Sequence, residues 1–323
     1  MHSLIEGRQL MLKTVLATCA CWALSSAWAQ GEMTDALYRD DGSPIEYYLQ
    51  SLDPNQSSRS LLVVVQGSDC NSVRQNRAIS EHLSKALPTA DMLTIEKYGI
   101  DASLTYNQDT ERVDCPAAFQ QQDSLEQRVQ DYRAVISHLR QKRGYQRVVA
   151  IGGSEGAVVV NLLAAQQNYL DASIAFNGGG QWFIDDVLHS IDVSSIPEAQ
   201  KLESAKGIRE FAAHIMHNPP SELVVSNHGY AWWKQMLELD QLAVLQNTHS
   251  PVLIIQGGAD QAVSTVAVTQ MVEKLKQSGK SNIEYRTYLQ LDHRLNGSDG
   301  ISQFGAVVED MATWLQANNV GHR

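Results

Sequence analysis

The chain has 323 residues, 43% of them hydrophobic, which is enough for one large domain with an insertion. A formal charge of −11 argues against non-specific nucleic-acid binding. Beyond residue 30 no stretch is apolar for long enough to cross a membrane, and neither repeats nor low-complexity tracts occur.

The N-terminus reads as a secretory signal. Met11-Leu-Lys13 provides a basic start, residues 15–24 an apolar core, and Ala27-Trp-Ala29 a small-residue cleavage site before Gln30. Residues 1–29 are expected to be removed, leaving 30–323 as a single domain in the periplasm or outside the cell. Met11 is a candidate true start, because residues 1–10 add acidic and polar positions upstream. Lipidation at Cys19 is the weaker alternative, since Thr18 is unusual before a lipidated cysteine.

Ser60-Leu-Leu-Val-Val-Val-Gln66 is a continuous apolar run, as expected of a strand buried on both faces. It runs out into Gly67-Ser68-Asp69-Cys70. Signal cleavage leaves Cys70 and Cys115 as the remaining cysteines. In an exported protein such a pair is expected to form a disulfide, here pinning a polar excursion beside the Gly67 loop.

Ser124-Leu-Glu-Gln127 has the form of a capping box. It opens a helix whose apolar stripe is Leu125, Val129, Tyr132, Val135, Ile136 and Leu139, with Gly144 past its end as a stop. Next, Arg147-Val-Val-Ala-Ile-Gly-Gly-Ser154-Glu-Gly156-Ala-Val-Val-Val160 reads as buried strand, sharp turn and apolar helix. This is G-x-S-x-G in the context the motif requires. Glycines flanking the turn tolerate close backbone approach and leave Ser154 at the apex. The Glu155 N–H then lies at a helix N-terminus, where negative charge is favoured.

Residues 171–176 form another strand, followed by Asn177-Gly-Gly-Gly180 as a candidate hinge. Residues from about 181 to 250 read as a largely helical cap carrying Trp182, Phe183, Tyr230, Trp232 and Trp233. His214, His217 and His228 read as solvated histidines rather than a metal site, and the chemistry calls for no metal or organic cofactor. Pro251-Val-Leu-Ile-Ile-Gln-Gly-Gly-Ala-Asp260 is a short apolar strand ending in glycines and an aspartate. A helix begins at Ser264 and buries Val268, Met271, Val272 and Leu275. Residues 283–290 form an alternating strand that runs into Asp292-His293, and a last helix presents Val307, Val308, Met311, Trp314 and Leu315. Strands alternating with helices imply a doubly wound, mostly parallel sheet with its active site at the strands' carboxyl ends.

Three candidates thus fall at strand ends. A serine hydroxyl needs a base to take its proton, a histidine can do so, and a buried carboxylate fixes the imidazole tautomer. Asp260 is the preferred acid. Asp292 adjoins His293, and neighbours in an extended segment point to opposite sides. Asp185 and Asp186 are the other candidates for that role.

From Leu61 to the C-terminus the chain resembles an α/β-hydrolase. The match is carried by Gly152-Gly-Ser-Glu-Gly156, Gln256-Gly-Gly-Ala-Asp260-Gln-Ala-Val263 and Asp292-His293, in the order Ser, Asp, His. Within that superfamily the C-terminal third is similar to the prolyl oligopeptidase and dienelactone hydrolase branch. The resemblance implies Ser154 as nucleophile, Asp260 as acid and His293 as base. It implies backbone N–H groups of Glu155 and of Gly67 or Ser68 as the oxyanion hole. The chain has no room for the N-terminal propeller of prolyl oligopeptidases, and it lacks the His-Gly-Gly-Gly pattern of hormone-sensitive-type lipases. The expected reaction is acyl transfer from an ester to water through an acyl-enzyme, with thioesters or short peptide amides next. The substrate would be a small molecule or short peptide. The reading from another class is a hydrolase-fold binding protein without catalysis.

Overall fold

The computed structural model describes residues 36–51, 58–109, 111–318 and 320. The expected signal sequence, its expected cleavage site and Cys19 lie outside the described residues. Seven strands build the main sheet: β1 (Tyr47–Gln50), β2 (Ser60–Val65), β3 (Asp91–Ile95), β4 (Arg147–Gly153), β5 (Ala172–Phe176), β6 (Val252–Gly257) and β7 (Ile283–Tyr288). Their order across the sheet is β7-β6-β5-β4-β2-β3-β1, and every pair is parallel except β1 with β3.

Side chains of β2 alternate between two cores, as a pleated strand requires. Leu61, Val63 and Val65 face one side with Val148 and Ala150, and Leu62 and Val64 face the other with Val149 and Ile151. The first face is covered by α2 (Leu125–Arg143) and α3 (Glu155–Ala164), through Tyr132, Val135, Ile136, Leu139 and the Val158 to Val160 run. The second face is covered by α9 (Phe304–Ala317), through Val307, Val308, Met311, Trp314 and Leu315. Helix α8 (Thr265–Gln277) packs Val268, Met271, Val272 and Leu275 on Val252 and Ile254. The doubly wound expectation holds, and the three stripes read from the sequence are the faces that pack.

Helix boundaries follow the signals too. Ser124 Oγ accepts from the Gln127 N–H at 3.2 Å, and Gly144 ends α2 at φ 74° in the left-handed region. Ser264 Oγ accepts from the Ala267 N–H at 3.2 Å at the start of α8.

Between β5 and β6 lie α4 (Phe183–Val193), α5 (Glu198–His217), α6 (Tyr230–Glu238) and α7 (Gln241–Gln246). A short helix, α1 (Ala117–Gln122), precedes α2. The insertion is helical, but α6 is not a detached lid. Trp232 and Trp233 are buried in the same core as the sheet, edge-on to one another with ring centroids 5.0 Å apart. Helix α5 is the exposed part, with Ile215 as its one fully buried side chain. The glycine run after β5 is closely packed, unlike the hinge its composition suggests. A Cβ on Gly178 would sit 2.5 Å from Ala157 Cβ, and one on Gly180 2.6 Å from Ala267 Cβ.

Candidate active site

Strand β4 and helix α3 are joined by Ser154 alone. Its backbone sits at φ 54°, ψ −130°, a region a serine occupies only when its surroundings enforce it. The Ser154 N–H donates to the Phe176 carbonyl at 3.0 Å, and the Ser154 carbonyl accepts from Ala157 at 2.9 Å. The flanking glycines explain themselves sterically. A Cβ on Gly152 would lie 2.2 Å from the Gly156 carbonyl oxygen, and one on Gly156 2.3 Å from the Val65 carbonyl oxygen. The turn therefore brings α3 directly against the end of β2.

The loop after β2 comes to the same place. A Cβ on Gly67 would be 3.4 Å from Ser154 Cβ and 4.0 Å from its Oγ, so this backbone lies against the serine. The loop is braced from several directions. The Gln66 amide donates to Asp69 Oδ1 at 2.9 Å and to the Asn71 carbonyl at 3.2 Å. Lys97 Nζ donates to the Asp69 carbonyl. Arg112 donates to the Cys70 carbonyl at 3.0 Å and to Asn71 Oδ1 at 2.9 Å. Cys70 and Cys115 are joined as a disulfide, their Cα atoms 6.0 Å apart. The bridge ties the loop to the stretch just before α1.

Beyond β6, Asp260 lies in a turn and His293 in the loop after β7. His293 Nδ1 and Asp260 Oδ2 are 2.8 Å apart. The other carboxylate oxygen of Asp260 accepts from the N–H groups of Ala262 at 2.8 Å and Val263 at 2.9 Å. Burial pushes the Asp260 carboxyl up, but the His293 ring and these N–H donors outweigh it and hold the group below the ordinary carboxylate range. The rival acids are engaged elsewhere. Asp292 accepts from the N–H groups of Arg294 and Asn296, both at 2.8 Å, and so caps its own loop. Asp186 accepts from Ser264 N–H at 2.9 Å and Gly180 N–H at 3.2 Å, tying α4 to the start of α8; burial pushes it up to about 6.

Two residues that sequence reasoning missed hold this pair. Asn177, at φ 50°, donates to the His293 carbonyl at 2.9 Å and accepts from the Gly257 N–H at 2.8 Å. It stitches the histidine loop to the end of β6. The Gln256 amide donates to Asp260 Oδ2 at 3.0 Å. A third feature was legible but unread. Arg128 falls on the apolar face of α2, between Leu125 and Tyr132, and a charge placed there has a buried partner. That partner is Glu155, ion-paired to Arg128 and receiving Trp232 Nε1–H at 2.8 Å.

The histidines of the insertion are dispersed. His217 bonds to the Ala213 carbonyl of its own helix at 2.8 Å. His228, expected to be solvated, is buried and stacked on Trp232 at 3.9 Å; desolvation pushes it down to about 4. Among the described residues no group of three or more His, Cys, Asp or Glu side chains is placed to hold a metal ion.

Comparison with other proteins bears on the fold. Residues 193–319 match the prolyl oligopeptidase family. That segment contains Asp260 and His293 but not Ser154. No curated protein matches the chain in sequence. Solved structures do match in fold. Est1E from Butyrivibrio proteoclasticus, with ferulic acid bound, is 17% identical with a TM-score of 0.60, covering 88% of this chain and 100% of its own. The Pyrococcus furiosus esterase Pf2001 is 14% identical with a TM-score of 0.55, covering 88% of this chain and 89% of its own. An acylaminoacyl peptidase from Pyrococcus horikoshii is 12% identical with a TM-score of 0.54, covering 88% of this chain but 40% of its own. The fold is that of the α/β-hydrolases.

Proposed function

We propose that this serine hydrolase of the α/β-hydrolase fold cleaves a carboxylic ester through an acyl-enzyme on Ser154. One observation carries the reading. Ser154, the Gly67 loop and the His293–Asp260 pair all lie just past the carboxyl ends of β4, β2, β7 and β6, the edge where sheets of this kind bind ligands.

With its Nδ1–H donated to Asp260, His293 keeps a lone pair on Nε2. That nitrogen takes the Ser154 proton as Oγ attacks the acyl carbon, and it returns the proton to the departing alcohol. Water then repeats the cycle on the acyl-enzyme. Asp260, ionised and held by four donors including the Gln256 amide, keeps the ring in the required tautomer. The N–H of Glu155 and that of Gly67 or Ser68 receive the oxyanion.

An ester stands first because solved structures that share this fold over most of their own length include esterases. Short peptide amides and thioesters remain in the set to be tested. The insertion between β5 and β6 is the proposed specificity surface: its α4 reaches the site through His189, whose Nε2 lies 3.2 Å from the Asp260 carbonyl oxygen. Export is part of the proposal: the N-terminal pattern and the Cys70–Cys115 bridge both suit an oxidising compartment. The test is a screen of the mature protein against short-chain and aromatic-acid esters, a thioester and aminoacyl anilides, with Ser154→Ala alongside. Ester turnover that falls by at least about a thousandfold in the variant is expected. Turnover retained by the variant, or an exclusive preference for the anilides, contradicts the reading.

A further inference from the structure

The oxyanion hole has two halves on separate elements: Glu155 opens α3, and the loop carrying Gly67 and Ser68 follows β2. One side chain touches both. The Arg128 guanidinium, itself 3% exposed, is ion-paired to the Glu155 carboxylate and donates to the Gln66 carbonyl at 2.6 Å. The Gln66 carbonyl and the Gly67 N–H belong to the same planar, trans peptide, so they point in opposite directions. Holding the oxygen fixes where the Gly67 N–H aims and the course of the backbone into Ser68. At the other half, the Glu155 carboxylate is held by Arg128 on one oxygen and by Trp232 Nε1–H on the other. It belongs to the residue whose N–H receives the oxyanion.

This placement poses an electrostatic problem. A fully buried carboxylate sits one residue from the nucleophile, where negative charge develops during acyl transfer. Burial opposes its charge, but Arg128 chiefly, with His228 and Lys97, holds it below the ordinary carboxylate range, so it is ionised. An unscreened charge there would work against the oxyanion. Arg128 neutralises it at contact distance.

We propose that Arg128 is a positioning residue for acyl transfer: it orients the Gln66–Gly67 peptide, fixes Glu155 at the head of α3, and cancels the carboxylate beneath the oxyanion hole. The proposal rests on the serine-hydrolase reading above.

The experiment compares the double variant Arg128→Met with Glu155→Gln, and Arg128→Lys, with the wild type. Each is assayed for kcat and KM on a p-nitrophenyl ester and for inhibition by a trifluoromethyl ketone, with thermal unfolding as a control. The double variant removes the buried pair together, leaving no lone charge, and so should fold. Having lost the carbonyl anchor, it should lose about ten- to a hundredfold in kcat with KM within about threefold, because the interaction acts on the transition state. Ketone inhibition should weaken in parallel. Arg128→Lys cannot span both partners and should lose at least about fivefold in kcat. A double variant that folds with the wild-type kcat overturns the proposal. If the double variant does not fold, Arg128→Lys with wild-type kcat overturns it. Wild-type protein that neither turns over ester nor binds the ketone would instead sink the serine-hydrolase reading.

Discussion

At the scale of single residues, the sharpest choice is between two neighbouring carboxylates. Asp260 contacts His293 Nδ1 at 2.8 Å, whereas Asp292 spends its oxygens on the N–H groups of Arg294 and Asn296. Asp260→Asn should therefore cut kcat by about four orders of magnitude, the scale known for loss of the carboxylate that sets the tautomer. Asp292→Asn should stay within about tenfold of wild type. Steady-state kinetics on one ester decides it, and the reverse ranking would transfer the acid role. Ser154, Asp260 and His293 were legible because each follows a strand that the sequence marks by a β-branched run. Asn177 and Gln256 were not. Their amides act across loops that are distant in sequence, Asn177 reaching a carbonyl 116 residues away, and no local pattern encodes such a contact. Arg128 did leave a signal, a charge on an apolar helix face.

At the scale of elements, the disulfide closes a 45-residue separation and abuts the loop that carries Gly67. Replacing both Cys70 and Cys115 by serine should cost roughly 2–5 kcal/mol, read by denaturant unfolding, and should lower kcat through a looser loop. Unchanged stability would show that the hydrogen bonds of Arg112, Lys97 and Gln66 suffice to hold the loop. Helices α2 and α8 were readable because caps and stripes agree, and α9 from its stripe alone. Strand β3 was not, since Asp91 and Thr94 interrupt its apolar run. Asp91 is buried there because Tyr145 Oη and Ser51 Oγ donate to it, the latter at 3.1 Å. Strand β1 is only four residues long and pairs antiparallel at the sheet edge. The insertion was legible as helical from its composition. That α6 belongs to the central core was not, because Trp232 and Trp233 look alike in a lid and in a core.

At the scale of the whole molecule, the site stands on an unusual density of buried charge: Lys97, Asp123, Arg128, Glu155 and His228 are all nearly inaccessible. Asp123 is the member with a measurable pH signature. Burial first, and the nearby Glu155 second, push its carboxyl up to about 7. Among the described residues neither oxygen has a hydrogen-bond partner. A raised carboxyl favours the folded state while protonated, so this contribution is present below about pH 4 and is lost as pH rises through about 7. Asp123→Asn removes the titration. Its melting temperature should gain on wild type between about pH 4 and 7, and a constant difference across that range would contradict the assignment. The fold and the order of the candidate site residues were legible along the chain, since each is set by local pattern. The buried charges were not, since they are set by where α2, α3 and α6 meet. The central claim is that Ser154 is an activated nucleophile. Treatment of the mature protein with a fluorophosphonate, followed by peptide mapping, tests it most directly. The account predicts one stoichiometric adduct on Ser154, absent from Ser154→Ala and strongly slowed in Asp260→Asn. An unlabelled protein, or an adduct on another residue, would contradict it.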